Sequence, residues 1–217
     1  MSVYKTLKDH VYDYISDKIN DGSLKPSERI NENNISEDLQ VSRTPVREAL
    51  LQLASEGYLE KLPRRGFTVR ELKQERVEQI YVVIGCLEGL AAKLSLAHIT
   101  DEHVDKMKEF VKSMDKALEN RNYSEYYKLQ TKFHDVYISA SGNDELTKLL
   151  NELKRSFIRQ TYYTNGGNGD EFYEALLNTH EEHKVIVKLF KEKNGDKLED
   201  YIKDVHWGIK YARYDSI

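Results

Sequence analysis

Apolar residues fall four apart near the start of the chain, at Leu7, Val11, Ile15 and Ile19. This spacing predicts a helix from Tyr4 to about Asn20, because residues at i and i+4 share a helix face. Asp21-Gly22-Ser23 ends it and Leu24-Lys25-Pro26-Ser27 reads as a turn. Asn31 or Asn34 is placed to cap a short second helix carrying Ile35 and Leu39. A third apolar stripe, Val46, Leu50 and Leu53 with Ala49 between, marks a helix whose cap is Ser42 or Thr44. Pro45 then falls in the first turn, where a missing N–H costs no intrahelical bond. Gly57 stands where a helix ends, and the period then shortens to two. Tyr58–Leu62 and Phe67–Arg70 alternate as strands, joined by Pro63-Arg64-Arg65-Gly66. After Glu71 helical spacing returns. It predicts helices at about Gln74–Ala97, Thr100–Asn120, Ser124–Ser141, Asp144–Tyr163, Glu171–Glu192 and Asp196–Tyr214, with Thr100, Ser124 and Asn143 as N-caps.

The predicted fold is therefore mostly α. A winged helix-turn-helix with a small β-hairpin wing takes up residues 1–72, and an antiparallel six-helix bundle takes up 73–217. Arg43 and Arg47 are four apart on the third helix, opposite its apolar side. Guanidinium forks in that position match the two acceptors of guanine in a DNA major groove, although an ordinary surface helix with two solvated cations has the same pattern. The hairpin tip repeats the theme. Arg64 and Arg65 are able to straddle a minor groove, and Gly66 lets backbone approach a phosphate. A hairpin with a solvated turn is the plainer alternative. The chain has 217 residues, 33 Lys and Arg against 37 Asp and Glu, and a formal charge of −4, so attraction to nucleic acid has to come from this local basic patch. Its single cysteine, Cys86, lies in an apolar stretch, where a buried, inert thiol and a cytoplasmic location are expected. No charged-then-apolar leader opens the chain and no apolar run reaches membrane-spanning length.

Gly22-Ser23-Leu24-Lys25-Pro26, the block Val41-Ser42-Arg43-Thr44-Pro45-Val46-Arg47-Glu48-Ala49-Leu50, Glu56-Gly57-Tyr58-Leu59 and Arg64-Arg65-Gly66-Phe67-Thr68-Val69 together resemble the winged-helix domain of the GntR family of bacterial transcription regulators. The resemblance implies DNA contacts from Ser42, Arg43, Thr44, Pro45, Arg47, Arg64, Arg65 and Gly66: bases or adjoining phosphates for Arg43 and Arg47, backbone for Thr44, the wing tip for Gly66. Asn33 stands near a second-helix position where some members carry a further arginine.

Four histidines of the second half offer themselves as ligands for an ion such as Zn²⁺ or Ni²⁺: His134, His180, His183 and His206. No short ligand spacing joins them, and packing or surface histidines account for each one singly. Leu87-Glu88, Phe133-His134, Glu182-His183, Gly195-Asp196 and the late His206 are similar to the FCD ligand-binding domain of the FadR subgroup. That resemblance implies one divalent metal on His134, His183 and His206, helped by a carboxylate four residues before the first histidine, with a small organic acid docking beside the metal. Here Gln130, a weak neutral ligand, holds the carboxylate position. Ile84 holds a position commonly taken by arginine, which removes a natural clamp for an acid. Two readings stay open: three histidines hold the metal with water or ligand, or the site has become an imidazole-lined pocket. Arg155 and Arg159 are candidates to supply the missing cation for an effector, or are simply solvated.

The function these residues imply is a DNA-binding transcription regulator, a repressor that meets a palindromic operator as a homodimer and answers to a small-molecule effector in the helical part. A three-histidine metal-dependent hydrolase or hydratase with an appended DNA-binding module is the rival reading. A bare dimerisation bundle, in which the histidines only pack, is a third.

Overall fold

A computed structural model describes residues 5–19, 23–71, 73–154, 170–212 and, for backbone alone, 20, 155–157, 169, 213 and 214. The chain divides into two compact units, one holding residues up to Lys73 and the other beginning at Gln74.

The first unit has three helices, α1 (Leu7–Asn20), α2 (Glu32–Asp38) and α3 (Arg43–Ser55), followed by strands β1 (Leu59–Leu62) and β2 (Gly66–Val69). Val11, Ile15 and Ile19 from α1 meet Val46, Ala49, Leu50 and Leu53 from α3 in one core, closed below by Tyr58, Leu59, Phe67 and Val69. These are the stripes that the four-residue spacing marked, and burying each large aliphatic side chain contributes roughly 1.5–3 kcal/mol. Asn31 caps α2, its side chain accepting from the N–H groups of Asn33 and Asn34. Ser42 is the N-cap of α3 by its extended backbone, but its hydroxyl makes no cap bond. Gly57, at φ 87°, turns the chain out of α3 in the left-handed conformation that favours glycine. The hairpin pairs Leu59 with Val69 and Leu62 with Gly66, and an isolated bridge from Arg29 to Thr68 extends its far edge.

The second unit contains, among the described residues, α4 (Gln74–Ser95), α5 (Asp101–Glu119), α6 (Tyr123–Ser139), α7 (Asp144–Phe157), α8 (Gly169–Glu192) and α9 (Gly195–Tyr201). Helix α5 packs against α6 and α8, and α4 packs against α6 and α9. Thr100 caps α5 as expected, and Asn143 accepts from the Leu146 N–H at the start of α7. The start of α6 differs from expectation. Asn122, rather than Ser124, is its cap, because the Asn122 side-chain oxygen Oδ1 accepts from the Glu125 N–H at 3.1 Å.

The last predicted helix, Asp196–Tyr214, is not continuous. After α9 the chain widens into a π-helical turn over Ile202–His206 and resumes as a 3₁₀ segment at Ile209–Tyr214. The Trp207 N–H donates to the Ile202 carbonyl at 2.9 Å, one residue beyond α-helical reach. Gly85 and Gly89, one turn apart on α4, let this broken helix come close. A Cβ on Gly89 would stand 2.8 Å from the Glu199 carbonyl oxygen, and one on Gly85 would stand 3.0 Å from Cβ of Trp207. Cys86, between these glycines, is exposed rather than buried. It projects from the other side of α4, so the apolar run in the sequence does not translate into burial of every member.

Candidate functional site

The first unit presents its cations on one surface. Ser42, Arg43, Thr44 and Arg47 are exposed while Val46, Ala49 and Leu50 between them are buried, so α3 offers one face to the core and the other outward. Pro45 is half-buried in the first turn. At the wing tip Arg64 and Arg65 are exposed. Arg64 at φ 60° and Gly66 at φ 82° shape a three-residue turn closed by the Arg65 N–H on the Leu62 carbonyl at 3.1 Å. A cleft of about 460 Å³ brings together Arg29, Asn33, Arg43, Arg47, Arg65 and Gly66. A second cleft, of about 480 Å³, runs between α3 and the wing past Arg47, Leu51, Lys61 and Arg64. Arg29, absent from the predicted set, belongs to this surface. Its position just before the second helix was visible in the sequence, but only the Arg29–Thr68 bridge brings it beside the wing.

In the second unit His134 on α6, His183 on α8 and His206 on the π turn are all buried, at 2%, 0% and 4% exposure, and their ligand atoms lie within 4.8 Å of one another. Nε2 of His134 stands 3.2 Å from Nε2 of His183 and 3.3 Å from Nε2 of His206. Carboxylates hold the far nitrogens of His134 and His206. Nδ1 of His134 donates to Oε1 of Glu88 and also lies 2.7 Å from the Tyr137 hydroxyl. Nδ1 of His206 is 3.1 Å from Oε2 of Glu182, whose other oxygen accepts from the Tyr211 hydroxyl at 2.6 Å. A proton on Nδ1 of His134 and of His206, given to a carboxylate, leaves their Nε2 atoms with lone pairs facing the middle of the cluster. The π turn is what swings His206 into this position. His180, three residues before His183, points elsewhere: its Nε2 is 2.7 Å from Asp115 and it is not a member of the cluster.

Burial keeps two of these rings neutral. It pushes His134 down to about 4 against the pull of Glu88, and drives His183 well below the usual histidine range, with His206 and His134 adding to the effect. Glu88 is fully buried. Burial opposes its charge, but His134 and Lys154 outweigh that and hold its carboxyl well below the usual range. Lys154, on α7, forms an ion pair with Oε2 of Glu88 and is only 12% exposed. Ile84 is fully buried, and Gln130 is half-buried one turn before His134. Arg159 lies outside the described residues, and of Arg155 only the backbone is described. A cleft of about 620 Å³ opens onto Glu182, lined by Glu171, Glu174, Asn178, Lys210 and Tyr211. The sequence reading missed Glu88 and Lys154 as parts of the centre. The available signals were the Leu87-Glu88 pair of the family resemblance and a lysine at an otherwise apolar helical position, four residues after Leu150.

Three buried imidazoles whose Nε2 atoms converge, two of them kept neutral by burial, are a donor set for a divalent metal ion. Zn–N bonds of about 2.0–2.1 Å meeting at the tetrahedral angle separate two nitrogens by about 3.3–3.4 Å, close to the spacing of His134 Nε2 from each of the other two rings. An outward-facing capped helix beside a basic-tipped hairpin, with a ligand centre in a separate helical unit, defines a DNA-binding regulator with a sensing domain.

The chain belongs to the GntR family. Residues 7–69 match the family of bacterial regulatory proteins, gntR family, and residues 79–205 match the FCD domain. It is 31% identical over 194 residues to the HTH-type transcriptional regulator YdhC of Bacillus subtilis, a match spanning 88% of this chain and 84% of that protein. It is 26% identical to the gluconate operon transcriptional repressor of Bacillus licheniformis, over 87% of this chain and 76% of that one. The fold is also that of Escherichia coli McbR/YncC, with a TM-score of 0.75 and 23% identity, covering 97% of this chain and all of that one. The chain is thus a transcription regulator and not an enzyme, which removes the hydrolase or hydratase reading. No helix among the described residues is long and apolar enough to cross a membrane.

Proposed function

We propose that this protein is a cytoplasmic repressor that binds a palindromic operator as a homodimer through Ser42, Arg43, Thr44, Pro45, Arg47, Arg64, Arg65 and Gly66. A small organic acid, acting at a divalent metal held by His134, His183 and His206, controls it. The observation that carries the reading is the convergence of three buried Nε2 atoms backed by Glu88 and Glu182. Carboxylates at Nδ1 of His134 and His206 turn the Nε2 lone pairs of both rings toward His183, and a cation placed between the three nitrogens would take them as ligands. Gln130, a weak neutral ligand, is secondary here. The two carboxylates behind the imidazoles provide the negative charge that a carboxylate ligand would otherwise bring. Lys154 is the cation of this centre in place of the arginine missing at Ile84. Repression is supported by relatives named as operon repressors. Dimer formation is supported by Val82, Val83, Leu90 and Leu94, which leave apolar surface exposed on α4.

An effector alters DNA binding only through a difference in its affinity for the DNA-competent and incompetent states. Metal analysis of the purified full-length chain tests the centre. About one equivalent of Zn or Ni per chain is expected, lost in His183→Ala with helical content retained. A chain that takes up neither metal on dialysis, and shows no thermal shift with either, would remove the metal from this account.

A further inference from the structure

Among the described residues, the acidic side chain that lines both clefts of the basic surface is Glu32. Glu32 opens α2, and its Oε2 accepts a hydrogen bond from Nε of Arg47 at 2.9 Å. Glu32 is mostly covered, with 22% of its side chain exposed, whereas Arg47 is 68% exposed. Its backbone is fixed by the Asn31 cap at the head of α2. Its other oxygen, Oε1, lies 4.0 Å from where a Cβ would stand on Gly66, so α2, α3 and the wing meet at this carboxylate. Both clefts of the surface are lined by Glu32 and Arg47 together.

A carboxylate among cations that approach DNA works against binding phosphate, since every phosphate contact draws its strength from positive charge. Its use has to be something other than general affinity. The guanidinium group is a rigid planar fork with five N–H donors. Tying Nε to Glu32 fixes the plane and leaves the terminal nitrogens as the free edge, the edge that matches O6 and N7 of guanine. An untethered Arg47 would be able to swing to the nearest phosphate, a contact that carries no sequence information.

We infer that Glu32 is a specificity-determining residue of the DNA interface: it holds Arg47 away from the phosphates and aimed at a base edge, giving up general DNA affinity in exchange for operator preference. This rests on the proposed reading of Arg47 as a base-contacting residue. Glu32 acts through Arg47 and is a positioning residue.

The test is a double-mutant cycle on the full-length protein, using an operator selected from randomised duplex DNA by the wild-type chain and a scrambled duplex of equal length, at one fixed salt concentration. Glu32→Gln keeps the size of the side chain and removes its charge. It is expected to tighten binding to scrambled DNA and to cut the ratio of operator to scrambled affinity by about tenfold, the scale of one misdirected bidentate contact. In an Arg47→Ala background the same substitution is expected to leave that ratio unchanged. A Glu32→Gln ratio equal to wild type, or an equal fall with and without Arg47, overturns the inference. An Arg47→Ala protein that keeps the wild-type ratio overturns the premise instead, so the two failures are told apart. Thermal unfolding of each variant checks that the head remains folded; if Glu32→Gln lowers the ratio only by unfolding the head, seen as loss of binding to both duplexes, the inference fails as well.

Discussion

The two units place their chemistry in opposite environments. In the first, cations close in sequence stand in water on the outer face of one helix and the tip of one hairpin, over a core that has no polar task. In the second, imidazole rings from three separate elements meet in the interior, and the charges beside them, Glu88, Lys154 and Glu182, are nearly enclosed. An exposed guanidinium needs only a scaffold that points it outward. A buried imidazole cluster needs every neighbour, because burial selects its protonation state and a carboxylate selects its tautomer. Changes in the head should therefore alter binding and leave stability alone, while changes at the centre should alter both.

The largest expected effect is on stability in acid. His134 in the folded, metal-free chain titrates at about 4, against roughly 6.5 when unfolded. Between those values the unfolded state binds the extra proton, so stability rises with pH and is lost as pH falls from about 6.5 to 4. At about 1.4 kcal/mol per pKa unit, the loss is on the order of 3 kcal/mol. Glu88, held low, adds to it below its unfolded value near 4.5. Denaturant unfolding of chelator-treated protein at pH 7 and pH 4.5 measures this; equal midpoints would mean that the rings are not held neutral by burial. Next in size, Glu88→Gln should weaken metal affinity by about 10–100-fold, the usual cost of losing a carboxylate behind a ligating histidine. Competition with a chromophoric chelator reads it out, and an unchanged affinity would put Glu88 outside the metal centre. Smallest is Arg64→Ala, which should leave the unfolding midpoint within about 0.5 kcal/mol, weaken operator and scrambled DNA alike, and lower the salt slope by about one. A selective loss on the operator would move Arg64 from phosphate contact to base reading.

Legibility in the sequence follows the same divide. The head could be read almost residue by residue because its signals are local: a four-residue apolar spacing, a proline in a first turn, a change of period, a glycine at the tip. The order of helices in the second unit was legible for the same reason, down to the Thr100 and Asn143 caps. Its errors are failures of local reasoning. Ser124 and Asn122 are both good caps, and only the observed bond to Glu125 chooses between them. The stripe from Asp196 to Tyr214 reads as one helix, yet the chain makes a π turn where it packs against Gly85. His134, His183 and His206 could be named through the family resemblance, but nothing in their spacing says that they meet.

What the chain determines alone is which residues face inward on each helix and which charges stand outward on the head, because both follow from periodicity and turn chemistry within a few residues. Tertiary structure alone decides that Glu88 and Lys154 form an ion pair behind His134, that Glu182 stands behind His206, and that Glu32 takes hold of Arg47. These are contacts between elements distant along the chain, and the energies that set them, desolvation and the charge–charge attraction that opposes it, exist only once the helices have closed around them.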